Sequence, residues 1–170
     1  MRVNKDLIDK CIIPELKTSL ENLHALNQYY SLLNGGIDSY VKVFETVGRV
    51  PAQLKEWLKI FDGGFLFSVS MLSTKPHVDG QGSFLTFSEV NSEEYKKDNG
   101  IPSNVVCFAM SNYGSFYFFD SESSDEKIYE WDIEESVAVD EWDSFADWLN
   151  TQVDNAKCDI VAGLLDPMED

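Results

Sequence analysis

Between Val105 and Asp132 the chain reads VVCFAMSNYGSFYFFDSESSDEKIYEWD, and three strands follow one another there. Val105–Met110 is an unbroken apolar run, the pattern of a strand covered on both faces. Ser115–Asp120 sets Phe116 and Phe118 on one face and Tyr117 and Phe119 on the other. Lys127–Asp132 alternates, with Tyr129 and Trp131 sharing one face and Ile128, Glu130 and Asp132 the other. Ser111-Asn112-Tyr113-Gly114 has the length of a hairpin turn, and Ser121–Glu126 is polar and acidic, as a solvated connection should be. A three-stranded antiparallel unit this aromatic has to bury at least one face. The rest of the chain must therefore supply helices with apolar sides.

It does so on both flanks. Asn4–Ile12 has Leu7, Ile8, Cys11 and Ile12 on one side, and Pro14 suits the first position of a second helix. Leu16, Leu20, Leu23, Tyr30 and Leu33 recur at helical spacing, which predicts that this helix runs to Asn34-Gly35-Gly36. His24 falls within it and reads as a surface or partly packed side chain. A third helix is expected over Asp38–Val47, with Val41 and Phe44 inward and Gly48 as its breaker. Pro51 begins a fourth, in which Leu54, Trp57, Leu58 and Phe61 fall at i, i+3, i+4 and i+7. Asp62-Gly63-Gly64 is expected to stop it, with Phe65–Ser70 following as a strand.

Ser73–Ser83, with Pro76, Asp79, Gly80 and Gly82, predicts a mobile loop. Phe84–Phe87 reads as a short strand or an extended lead-in. Ser88 or Asn91 caps a helix reaching about Lys97. Beyond Asp132, Val137–Val139 is a further short strand. Phe145, Trp148, Leu149 and Val153 mark a closing helix with Asp143 as its N-cap, and Cys158–Asp170 predicts a partly loose acidic tail. No tandem period is present.

A hydrophobic content of 44% over 170 residues is ample for one core. The net charge of −17 is unevenly spread: residues 1–110 carry 11 basic and 13 acidic side chains, residues 111–170 carry 2 and 17. The second part thus holds a net −15. That sign disfavours direct contact with a nucleic-acid backbone and favours a basic protein partner, although solubility alone also explains acidity. The amino terminus has no apolar signal-peptide core, and no apolar run approaches a membrane span. Cys11, Cys107 and Cys158 are odd in number and far apart, which points to free thiols and a cytoplasmic setting.

Phosphate-cradling glycine loops, paired metal-ligand histidines, Cys-x-x-Cys and the Gly-x-Ser-x-Gly elbow are all missing from the sequence. His24 and His77 are the only histidines. A calcium loop begun at Asp120 would put Asp125 where glycine is required and Trp131 where a bidentate Glu belongs. Cys107, in an apolar strand, reads as an inert core thiol, and Trp57, Phe116, Phe118 and Trp131 read as core. No catalytic residue, metal or cofactor is assigned.

Glu45–Gly64, ETVGRVPAQLKEWLKIFDGG, carries a pattern of its own: a Glu before a Gly, then a Pro-initiated helix closed by Asp-Gly-Gly and followed by a strand. With Glu45, Gly48, Pro51, Trp57, Gly63 and Gly64 in these places, it resembles the opening motif of the SUKH superfamily, the Smi–Knr domain. The similarity continues through Ile101-Pro102, the Val105–Ala109 strand, Gly114–Asp120, Ile128–Asp132 and the Phe-x-x-Trp-Leu face of Phe145–Leu149, covering about residues 37–155. Asp62 stands where Asn is more usual. The resemblance implies an α+β fold, a mainly antiparallel twisted sheet flanked by helices. Residues 1–36 are then an N-terminal helical extension, 37–157 the SUKH-like domain and 158–170 the acidic tail.

It also implies a non-catalytic interaction domain. Many bacterial members look like immunity proteins that neutralise a cognate polymorphic toxin, often a nuclease, whereas fungal relatives act as cell-wall and signalling regulators. Combined with the charge, the reading is an immunity protein occluding a basic toxin surface, with Asp120, Glu122, Asp125, Glu126, Glu134 and Glu135 as the candidate partner-binding residues. The alternative is a regulatory scaffold with several partners, and a carboxylate hydrolase ranks third. No direct nucleic-acid or membrane contact is expected. For the fold, Trp57, Leu58 and Phe61 should be buried against the sheet and Gly63 or Gly64 should take positive φ. Trp57→Ala should then cost about 3–5 kcal/mol in chemical denaturation. A variant unfolding like the parent would show that this helix is misassigned.

Overall fold

Asn4 opens the first helix by accepting the Leu7 N–H, and α1 spans Lys5–Lys10. The structure, a computed structural model, describes residues 1–35, 42–43, 47–76, 78–79, 82–83 and 85–168. Pro14, whose missing N–H is no loss in a first helical turn, begins α2 (Pro14–His24). Leu16, Leu20 and Leu23 are fully buried along it. The helix does not continue to Asn34 as its spacing predicts. Tyr30–Asn34 is instead a strand, β1, with Tyr30 and Leu32 buried and Ser31 exposed between them. Tyr30 lies seven residues after Leu23, a helical interval, but the period-two burial of β1 prevails once it pairs with a neighbouring strand. The helix expected over Asp38–Val47 falls largely outside the described residues, as do Val41, Phe44 and Glu45; Val43 is helical and buried.

The helix begun at Pro51 forms as α3 (Ala52–Ile60), with Leu54 and Trp57 fully buried and Leu58 nearly so. It ends before the glycines. Phe61 is already extended, and the chain enters β2 (Phe61–Leu66) directly. Gly63 and Gly64 do take positive φ, 85° and 115°, yet they lie inside a strand instead of closing a helix. The reason is crowding. A Cβ on Gly63 would meet Met71 O at 2.9 Å and Ser73 Cβ at 2.7 Å, and one on Gly64 would run into Ser31 O and Leu32 Cα. Strands on both sides thus approach β2 as only glycine allows. Between them and the helix, the buried Asp62 accepts from Thr74 N and Thr74 Oγ1, each at 2.8 Å. Two acceptor oxygens suit that pair of donors, which accounts for Asp at this position.

The strand predicted over Phe65–Ser70 is two strands. The chain reverses at Phe67-Ser68, with Phe67 at φ 57°, and returns as β3 (Val69–Met71). A bulky residue in the left-handed region is uncommon, and no glycine or proline announces this turn. The stretch expected to be a mobile loop holds a small hairpin, β4 (Val78–Asp79) with β5 (Gly82–Ser83), while Ser73 bridges to Thr86. The single helix expected from Ser88 or Asn91 is two: α4 (Phe87–Val90), capped by a reciprocal Thr86–Glu89 box, and α5 (Glu93–Asp98), capped by Ser92. Asn91 has another task. Its amide accepts from Cys107 N and donates to Cys107 O, both at 2.8 Å, standing in for a neighbouring strand.

The three central strands form as β6 (Val105–Ser111), β7 (Phe116–Asp120) and β8 (Ile128–Asp132). The expected short strand at Val137 is longer, β9 (Val137–Trp142). The closing helix α6 (Phe145–Ala162) is capped by Ser144, not Asp143, and carries the chain in regular helix past the predicted start of the tail. The strands make one antiparallel sheet in the order β1-β2-β3-β6-β7-β8-β9. The α+β architecture with an antiparallel sheet and an N-terminal helical segment is therefore as the sequence predicts.

One face is covered by α6, with α2 and α3 beside it. Phe108 meets Trp148 and Phe145 at ring distances of 5.2 and 5.8 Å, and Tyr117 meets Trp148 at 5.2 Å. On the other face Tyr95 of α5 packs edge-on against Phe116. Gly64→Ala should destabilise the fold by more than 2 kcal/mol in urea unfolding, because positive φ and the β1 backbone both oppose a methyl group. A near-neutral effect would mean that β1 is not tightly paired with β2.

Candidate functional site

The acidic surface is organised by the β7–β8 loop and the β8–β9 hairpin. In the loop, Asp120 Oδ1 accepts the Glu122 N–H at 2.8 Å and Asp125 Oδ1 accepts the Lys127 N–H at 3.2 Å. Both carboxylates thus shape local turns. Glu126 reaches further. Its Oε1 accepts from Arg49 Nη2 at 2.7 Å and its Oε2 from Ala52 N at 2.5 Å, at the start of α3. Pro51 offers that helix no side-chain cap, so Glu126 supplies the missing acceptor. Arg49 adds bonds to Ser123 O and Asp125 O at 2.7 and 2.8 Å. Glu126 is therefore part of the frame holding the loop to the helix.

Glu134 and Glu135 occupy the β8–β9 turn, where their N–H groups donate to Asp132 Oδ1. An antiparallel strand separates this turn from the β7–β8 loop, so the two lie at opposite ends of β8. The six candidate carboxylates are not brought into one cluster. Among the described residues, the side chains of Glu122, Glu134 and Glu135 engage no other group, and all three are exposed.

Between them lies a second acidic surface, outside the six carboxylates that the sequence singles out except for Glu134 and Glu135 at its turn. From Ile128 to Trp142 there are six carboxylates and no lysine or arginine. The register sets Glu130 directly opposite Asp140 and Asp132 opposite Val137. Like charges facing each other across a strand pair are destabilising by a few tenths of a kcal/mol up to about 1. Lys127, at the base of the hairpin, binds Glu141 at 2.7 Å and lies 3.9 Å from Asp143, so its charge faces away from the Glu130–Asp140 pair. The alternation of β8 places Glu130 and Asp132 on one face from sequence alone. Their partners in β9 depend on the irregular register after Glu130, which no local pattern reveals.

β9 is also the free side of the sheet. It is exposed over most of its length, with Val137 at 45% and Val139 at 52%. No described residue pairs with its outer side. At the opposite end of the sheet, β1 is closed by the amino terminus, since Leu32 N donates to Met1 O at 3.0 Å and the Met1 ammonium donates to Leu32 O.

Other chemistry is occupied or sealed. Cys107 is fully buried and its thiol is pushed up to about 12 by burial; Cys11 is buried and raised for the same reason. The three cysteines are free thiols. His24 Nδ1 lies 2.8 Å from Val3 O, tying α2 to the first residues. His77 lies outside the described residues. A groove of about 470 Å³ runs between α5 and β6, and two of its polar side chains are engaged: Lys96 Nζ donates to Ser103 O at 3.0 Å, and Asn91 holds Cys107. Among the described residues no cluster of His, Cys, Asp and Glu is arranged to hold a metal ion, and no helix is long and apolar enough to cross a membrane.

The model of the SMI1 / KNR4 family (SUKH-1) matches residues 42–151, from the segment before Gly48 through the Phe145–Leu149 face of α6. No curated protein matches the chain. Of the motif residues, Gly48 has positive φ, Pro51 stands at the N-cap position of α3, Trp57 is core, and Gly63 and Gly64 sit in β2 as described.

The loop geometry separates structural from unengaged carboxylates. Glu126→Ala should lower stability by about 1–2 kcal/mol, as loss of a helix cap does, while Glu122→Ala and Glu134→Ala stay within about 0.5 kcal/mol of the parent. Equal effects in all three, measured by urea unfolding, would remove Glu126 from the frame.

Proposed function

The chain belongs to the SMI1 / KNR4 family (SUKH-1), and from that premise we propose that it is a non-catalytic protein-binding domain acting as an immunity protein, one that neutralises a cognate toxin by covering a basic surface of it. The observation that carries this reading is the β8–β9 hairpin: six carboxylates, no basic side chain, at an exposed end of the sheet. Such a field raises the encounter rate with a cationic partner and turns its basic surface toward the hairpin. A toxin that handles nucleic acid presents basic surface of that kind, because its substrate is a polyanion. Neutralisation then follows by occlusion: the hairpin fills the space the substrate backbone needs.

Two features of the frame support this use. The β7–β8 loop is fixed to α3 through Glu126 and Arg49, so its exposed acidic groups are presented on a rigid support. Rigid presentation lowers the ordering entropy lost on binding. Of the unengaged carboxylates, Glu134 and Glu135 stand at the hairpin's turn, and Glu122, in the β7–β8 loop, adds its charge beyond the other end of β8.

Co-expression with a toxin encoded beside this chain should restore growth, and the purified pair should associate more slowly as salt rises, since screening shortens the reach of these charges to ~8 Å near physiological strength. Glu134→Lys with Glu135→Lys should reduce the on-rate several-fold without changing thermal stability. A salt-independent on-rate, unchanged in that variant, would take the acidic hairpin out of the mechanism. Recovery of several unrelated proteins and no protection from any neighbouring toxin would replace immunity with the scaffold reading.

A further inference from the structure

We propose that β9 is a strand-addition edge: an extended segment of the protein partner, with lysine or arginine at alternate positions, pairs along Val137–Trp142 as the sheet's next strand. This rests on the protein-binding reading above and specifies how the partner is held.

Backbone geometry gives the first argument. One sheet edge, β1, is hydrogen-bonded to Met1, whereas no described residue covers the outer side of β9. An edge strand points alternate N–H and C=O groups outward, where an extended chain can take them up. The skipped register at Val139 divides this edge into two short stretches, Val137–Ala138 and Asp140–Trp142, which an extended segment can pair with in turn, and the exposed Val137 and Val139 offer apolar contact along it.

Charge identifies the occupant. Tyr117, Glu130 and Asp140 are in register across three adjacent strands and so share one face. Burial first, with Glu130 and Asp140 adding to it, raises the Tyr117 phenol to about 12. An incoming strand adds the next position in that row, beside Asp140. A cation there relieves the Glu130–Asp140 repulsion; an apolar residue leaves it, and a carboxylate worsens it. A second copy of this chain is therefore the wrong occupant. Its own β9 would bring Asp140 and Glu141 against the same pair, between molecules each carrying −17. Asp140 Oδ1 now accepts the N–H of its neighbour Glu141 at 2.8 Å, so that one backbone donor of β9 already has a partner within the strand.

The test uses the isotopically labelled full chain and three capped eight-residue peptides at low salt: alternating lysine and valine, the same with two valines replaced by proline, and alternating glutamate and valine. Strand addition predicts that the first binds and slows amide exchange within Val137–Trp142, and that the second binds at least tenfold more weakly despite equal charge, since proline cannot donate to a ladder. The third should not bind. Asp140→Lys should weaken the first peptide about tenfold while raising the melting temperature, because it converts a repulsive cross-strand pair into an attractive one. Opposite signs exclude misfolding as the cause. Equal binding of the proline peptide, protection on another surface, or no binding by the lysine peptide would each overturn the proposal. Those outcomes leave growth protection untouched, and a toxin test that fails while the lysine peptide still protects β9 would reject immunity alone.

Discussion

Phe145 joins the parts of this protein that would otherwise be separate. Its ring lies 5.4 Å from Trp57 of α3, 5.8 Å from Phe108 of β6 and 5.2 Å from Trp148 of its own helix. Each such aromatic pair adds about 0.5–1.5 kcal/mol beyond the area it buries. The helix starts around it are tied by side chains from elsewhere in the chain. Glu126 accepts from Ala52 N at the head of α3, and Gln53 Oε1, one residue on, accepts from Ala146 N at 2.7 Å at the head of α6. Displacing Phe145 would loosen the closing helix from the sheet and the acidic loop from its anchor together.

That rigidity matters because the acidic end of the sheet is locally unfavourable. Glu130 faces Asp140, β9 is an exposed edge, and Val137 and Val139 lie open on it. None of this helps the chain fold. The carboxylates do discourage self-pairing, which is one way natural sheets protect such edges. The same carboxylates discriminate by sign: they repel another acidic edge and attract a basic one. A local conflict that the core is strong enough to hold is the usual mark of a surface kept for binding.

The core was largely legible in the sequence. The apolar run at Val105–Ala109, the alternation of Phe116 to Phe119 and the Leu54–Trp57–Leu58 spacing are strong periodic signals and give the right elements. The failures share a cause. Tyr30 and Leu33 fit the period of the helix before them, and the β2 strand that pairs with Tyr30–Asn34 lies far along the chain, Tyr30 opposite Leu66 and Asn34 opposite Phe61. Gly63 and Gly64 looked like a helix stop because the close approach of β1 and β3 is a tertiary fact. Phe67 turns the chain without a glycine or proline. At the surface, Glu126 looked like its acidic neighbours, since nothing local places it against Arg49 and Ala52. Asp140 carries no local signal, because its opposition to Glu130 arises only in the paired hairpin.

The central claim is that the β8–β9 hairpin is the surface a partner covers, and amide exchange across the complex with the toxin it neutralises addresses it most directly. The account predicts that exchange slows along Val137–Trp142 and in the flanking turn at Glu134 and Glu135, with α4 and α5 unchanged. Protection confined to α4, α5 or the amino-terminal helices, with β9 exchanging as in the free protein, would contradict it.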